Sequence, residues 1–145
     1  MPSVITRRGR VVAAAVAVLL AAGCGSARSG AAPTPAGLPA RTAMAGPVEV
    51  SVVPQPIDSN GAAFKVQLEN HQVDLTGDYA ATSTLTVGGT AWTAPRWAGD
   101  GPGGHHRVGT LSFTPAGAAA GPVELNLGGL PAPVNVRWTL PDNRK

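Results

Sequence analysis

All three histidines of the chain fall in two short segments. One reads Glu69-Asn70-His71-Gln72-Val73-Asp74-Leu75, the other Gly99-Asp100-Gly101-Pro102-Gly103-Gly104-His105-His106-Arg107. Neutral imidazole suits copper(II), zinc(II) and nickel(II). Clustered histidines with carboxylates nearby therefore point to a surface site for a copper or zinc ion. The candidate ligands are His71, His105, His106 and Asp74, with Asp100 as a second carboxylate. Neighbouring residues on a regular strand face opposite ways. His105 and His106 can thus share one ion only from a loop or a bulge, and the glycines before them permit such irregular backbone. The domain holds no Cys or Met for a soft thiolate or thioether site, because Cys24 and Met44 both precede it. The bland alternative is that one histidine pins a loop and the others face water.

No catalytic constellation accompanies these residues. No Ser-His-Asp set stands in recognisable context, and no Gly-rich loop leads from a strand into a helix to cradle phosphate. The sequence therefore predicts a binding domain rather than an enzyme. Trp92 and Trp97 flank Thr93-Ala94-Pro95-Arg96. They read first as core residues and second as a binding patch beside the histidine loop.

The N-terminus carries Arg7, Arg8 and Arg10 and then an apolar run over residues 11–22. A basic start, a short apolar stretch and a small-residue exit describe an export signal over residues 1–23. The run is too short for a membrane span, which needs about 20 apolar residues. The exit, Leu20-Ala21-Ala22-Gly23-Cys24, resembles the lipobox of bacterial lipoproteins, with Ala21 where Leu is commoner. That resemblance implies lipidation of Cys24, the only cysteine in the chain, and an anchor on the extracytoplasmic face of the cell membrane. Ordinary secretion with a stray cysteine is the alternative. Arg7-Arg8 also raises twin-arginine export, which the flanking residues fit poorly.

The chain has 11 basic and 8 acidic residues, net +3. Three arginines leave with the signal, so the remainder is neutral, and residues 47–140 are mildly acidic. That balance excludes nucleic acid as a natural partner.

After Cys24, residues 24–46 are dominated by Gly, Ser, Ala, Pro and Thr and read as a flexible tether. Residues 47–145 remain as one domain. Within it Val48, Val50 and Val52 alternate with polar residues, as do Phe64, Val66 and Leu68, then Val123, Leu125 and Leu127, then Val134, Val136, Trp138 and Leu140. A period of two with one polar face is the pattern of half-buried antiparallel strands. Shorter candidates are Val73–Leu75, Thr84–Val87, Ala91–Thr93 and Val108–Phe113. Gly- and Pro-rich turns separate nearly all of them, residues 116–120 read as loop, and no segment has helical periodicity. The expectation is all-β: an immunoglobulin-like antiparallel β-sandwich of seven to eight short strands, with a small barrel as the alternative.

The segments Phe64-Lys65-Val66-Gln67-Leu68-Glu69-Asn70-His71-Gln72-Val73-Asp74-Leu75 and Gly103-Gly104-His105-His106, followed by Gly109-Thr110-Leu111-Ser112-Phe113, resemble a family of small prokaryotic β-domain proteins without assigned function. That family carries F-x-V-x-L-x-T-H-S-V-D-L and G-G-H-H-x-x-G-x-L-x-F motifs, and this chain departs from them at Asn70 and Gln72. The resemblance implies a domain type and sets His71, Asp74, His105 and His106 inside the shared motifs. The composite expectation is a lipid-anchored, non-catalytic binding domain of the cell envelope. Its alternative is a module that docks another envelope protein without metal.

Overall fold

Alternating side chains dictate most of the architecture. The structure, a computed structural model, describes residues 37–142. The expected signal peptide, Cys24 and most of the expected tether lie outside them. Eight strands follow in chain order: β1 (Arg41–Ala45), β2 (Val48–Pro54), β3 (Ala62–Glu69), β4 (Thr84–Val87), β5 (Thr90–Gly99), β6 (His106–Thr114), β7 (Gly121–Leu127) and β8 (Val134–Leu140). All pairings are antiparallel, in the order β1-β2-β3-β6-β5-β4-β7-β8. The all-β, antiparallel expectation holds.

The sheet curls until its edge strands β1 and β8 approach each other without sharing a ladder, giving a nearly closed barrel. One side chain spans that seam: the Trp138 indole N–H donates to the Pro39 carbonyl at 2.7 Å. Inward positions form one apolar core. Val48, Val50, Val52, Phe64, Val66, Leu68, Leu85, Leu111, Leu125 and Leu127 are essentially inaccessible. Phe64 stacks on Trp138 with centroids 5.6 Å apart and meets Phe113 edge-on at 6.3 Å. These aromatic contacts tie β3, β6 and β8 together across the interior.

The curl has a local cause in β5. Pro95 has no N–H to give to a ladder, and Ala94 takes a left-handed φ of 49°. The register with β6 shifts between Thr93 and Arg96. The first part of β5 pairs with β4 through Trp92 and the second part with β6, so one bent strand joins the two halves of the sheet.

Three expectations are corrected. β1 lies inside the segment expected to be tether. Its own sequence, RTAMA, is weakly patterned and buries only Ala45 fully, and five rungs with β2 order it. Val73–Leu75 is not a strand, because the Leu75 N–H and carbonyl bond instead to Gly104 and Gly103. A single helical turn, α1 (Tyr79–Thr82), occurs where no helix was expected. It is too short to show periodicity, and Asp78 caps it by accepting the Ala81 N–H at 3.0 Å.

The barrel has two distinct ends. Register places Glu69, His106 and Gly99 at one, with residues 70–83, 100–105 and 128–133. The other holds residues 55–61, 88–89 and 115–120, the start of β1 and the finish of β8.

Candidate functional site

The histidine end is built around a buried arginine. β6 alternates faithfully, so its inward positions are Arg107, Gly109, Leu111 and Phe113. Arg107 is only 4 % exposed, yet among the described residues it pairs with no carboxylate. Its Nη1 donates to the Leu75 carbonyl at 3.0 Å and to the Gly77 carbonyl at 2.7 Å, and its Nε to the Asp100 carbonyl at 3.1 Å. The guanidinium lies 4.5 Å from the Tyr79 ring centroid and 5.3 Å from that of Trp97, within the range of cation–π attraction. Trp97 lies over Gly109, where any Cβ would strike the indole, and its own N–H donates to the Asp100 carbonyl at 2.9 Å.

This cluster clamps the two histidine-bearing segments together. Leu75 N–H donates to the Gly104 carbonyl, and Gly103 N–H returns to the Leu75 carbonyl. Asn70 is buried. Its side-chain oxygen accepts the Gln72 and Val73 N–H groups, while its own N–H and its Nδ2 both donate to the His105 carbonyl. Asn70 thus joins the two histidine-bearing segments through both its backbone and its side chain.

The predicted ligands separate into two sets. His71 and His106 come together, with ring centroids 6.1 Å apart and planes at 78°. His105 lies in the loop before β6 and turns away, and its Nδ1 lies 3.0 Å from the Val73 carbonyl. A carbonyl only accepts, so this nitrogen carries the proton. Asp74 is exposed and joins neither set, and the Asp100 carboxylate is taken up by the Val108 N–H at 2.9 Å. Among the described residues no group of three His, Cys, Asp or Glu side chains is disposed to hold a metal ion. Of the four expected ligands, His71 and His106 are the two whose rings approach each other.

Comparison with protein-family models, curated proteins and solved structures returns no match.

The two tryptophans divide as well. Trp92 is buried in the core, and Trp97 is half-buried against Arg107 and Gly109. As a pair they do not form a surface patch. Arg107 escaped the sequence reading, although the signal was present: it is a cation on the apolar register of a strand.

Burial raises the Tyr79 phenol above its ordinary value of 10.0, opposed by the positive charge of Arg107. The unfolded chain releases this proton near pH 10 and the folded chain only at higher pH. Above pH 10 the folded state therefore binds more protons, and stability falls as pH rises. Urea midpoints measured from pH 8 to 11 should show that decline, and Tyr79→Phe should flatten it.

Proposed function

We propose that this chain is a lipoprotein anchored through Cys24 on the extracytoplasmic face of the membrane, with a non-catalytic domain that binds a copper or zinc ion at His71 and His106. The supporting observation is the approach of the two imidazoles to 6.1 Å between centroids. A ring nitrogen binds such an ion at about 2.0–2.1 Å, so two rings sharing one ion stand roughly 5–6 Å apart, centre to centre. Both rings are exposed and are carried by segments that Asn70, Leu75 and Arg107 bond to one another. The segments that carry the pair are thereby fixed, which lowers the ordering cost of binding, and the remaining coordination positions fall to water. An open pair of this kind offers no water-excluding pocket for chemistry.

Calorimetric titration with copper(II) and zinc(II) tests the metal reading. One saturable site at micromolar metal is expected, weakened at least about tenfold by His71→Ala or His106→Ala and little changed by His105→Ala. Absence of saturable heat overturns it. The anchor is tested separately. Cys24→Ala should abolish incorporation of labelled palmitate and move the protein from the membrane fraction to the soluble one. No helix among the described residues is long and apolar enough to cross a membrane.

The alternative, a module that docks an envelope protein, draws support from the unjoined edges of β1 and β8 and from Met44, which is 60 % exposed on β1. An exposed edge can accept an added strand. Specific partner recovery from solubilised membranes that survives loss of both His71 and His106 would favour it. The immunoglobulin-like reading of the fold rests on the bend in β5, which divides the sheet into two halves. Against it stands the direct pairing of β2 with β3, since the second and third strands of that fold lie in opposite sheets.

A further inference from the structure

The β3–β6 ladder sets a carboxylate beside the two imidazoles. Glu69 and His106 stand directly opposite each other on it, and both are exposed on its outer face. We propose that Glu69 is the third ligand of the ion, its carboxylate swinging across this rung to join His71 and His106. The inference rests on the metal reading above and assigns to Glu69 one of the positions otherwise left to water.

The rung is of the closer kind. The Asn70 N–H donates to the His105 carbonyl, one residue beyond Glu69 and one before His106. Ladder bonds therefore flank the Glu69–His106 pair rather than join it. Cross-strand Cβ atoms stand about 4.5–5.5 Å apart, and pairs of this kind lie toward the lower end. As it stands, the carboxylate leans along its own strand, where its Oε1 accepts from the Gln67 Nε2. Three donors therefore do not already converge. The side chain is exposed, so turning it across the rung disturbs no core contact.

Charge favours the swing. Glu49 faces Glu69 from β2 on the same outer face. Like charges directly opposite each other repel, and neither carboxylate has a salt-bridge partner among the described residues. A divalent cation held by Glu69 offsets that repulsion, and Glu49 adds a second negative charge without touching the ion. Two imidazoles and a carboxylate with an open fourth position are a known zinc(II) set. The oxygen ligand also disfavours copper(I), which prefers sulfur.

The test uses the whole chain in detergent micelles with zinc(II) as the probe. The glutamates of the chain are Glu49, Glu69 and Glu124, so carbon-13 labelling gives each its own carboxyl signal. The Glu69 signal should shift saturably over the same zinc range as the His71 and His106 rings, while Glu124, paired with Arg137, stays in place. Glu69→Gln should weaken zinc binding about tenfold or more, since even outer partners of metal ligands carry that much. Its melting temperature without zinc should not fall below the parent's. Glu49→Gln should weaken binding only about two- to fivefold, the scale of an exposed charge contact. Binding that falls in His71→Ala and His106→Ala but is unchanged in Glu69→Gln overturns the third ligand and leaves the imidazole pair standing. Equal losses in Glu69→Gln and Glu49→Gln overturn it too, because charge alone then accounts for the effect. No saturable zinc binding by the parent overturns both readings.

Discussion

Replacing Arg107 with Met is expected to lower unfolding stability by about 3–5 kcal/mol, the largest effect of any single substitution considered. Met fills much of the same volume but donates nothing. The carbonyls of Leu75, Gly77 and Asp100 would each lose the partner that Arg107 supplies. The Leu75 carbonyl keeps the Gly103 N–H and the Asp100 carbonyl keeps the Trp97 N–H, so the cost of a buried carbonyl without a partner, about 1–3 kcal/mol, falls on Gly77. The contacts with the Tyr79 and Trp97 faces go as well. Domains of this size are stable by only about 5–15 kcal/mol in total, so the melting temperature should fall by roughly 15–25 °C. Arg107→Lys keeps the charge but cannot fork to several carbonyls, and its loss should be intermediate. Urea denaturation followed by tryptophan fluorescence measures all three proteins. Equal stability of wild type and the Met variant would show that the guanidinium bonds contribute nothing net.

Gly77→Ala carries the second largest expected effect, about 2–3 kcal/mol. A Cβ at this position would land on the Gly129 carbonyl and within 2.9 Å of the Tyr79 ring. The first obstacle is backbone and cannot rotate aside. Relief requires residues 70–83 to draw back from residues 128–133. That movement also shifts the Gly77 carbonyl that Arg107 holds. The variant should therefore show a second signature, weaker metal binding at His71, which rides on the same segment. Gly101→Ala is the control. Nothing lies within 4 Å of its Cβ, so its effect should stay within about 0.5 kcal/mol. If the two variants match, the close approach at Gly77 is immaterial.

The strands were legible because burial on one face imposes a period of two, and β2, β3, β4, β7 and β8 all carried it. β1 was not legible. Its order comes from β2 beside it rather than from its own composition, so Arg41-Thr42-Ala43-Met44-Ala45 read as a continuation of the Gly/Ala/Pro segment. Val73 to Leu75 failed for the opposite reason: the apolar residues are there, but their backbone partners come from a loop. At the site, the sequence groups His71, His105, His106 and Asp74 as one ligand set, whereas the structure brings together only His71 and His106 and turns His105 to the Val73 carbonyl. Which of the grouped histidines meet depends on how residues 70–77 dock on residues 100–105, and alternation within a strand does not show that. The docking in turn rests on Arg107, whose inward position the sequence shows and whose partners it does not.

The direction of β1 has a mechanical consequence. The strand starts at the end of the barrel away from the histidines and runs toward the histidine end, pairing with β2 from Arg41 opposite Val52 to Ala45 opposite Val48. A pull along the strand axis on the chain ahead of residue 37, directed away from the barrel, loads these rungs together in shear instead of peeling them apart one at a time. Tension arriving through the N-terminal segment is therefore spread along an edge ladder separated from β6 by β2 and β3. The Trp138–Pro39 bond is the first link in its path. The domain can be tugged from that side while the two imidazoles keep their spacing.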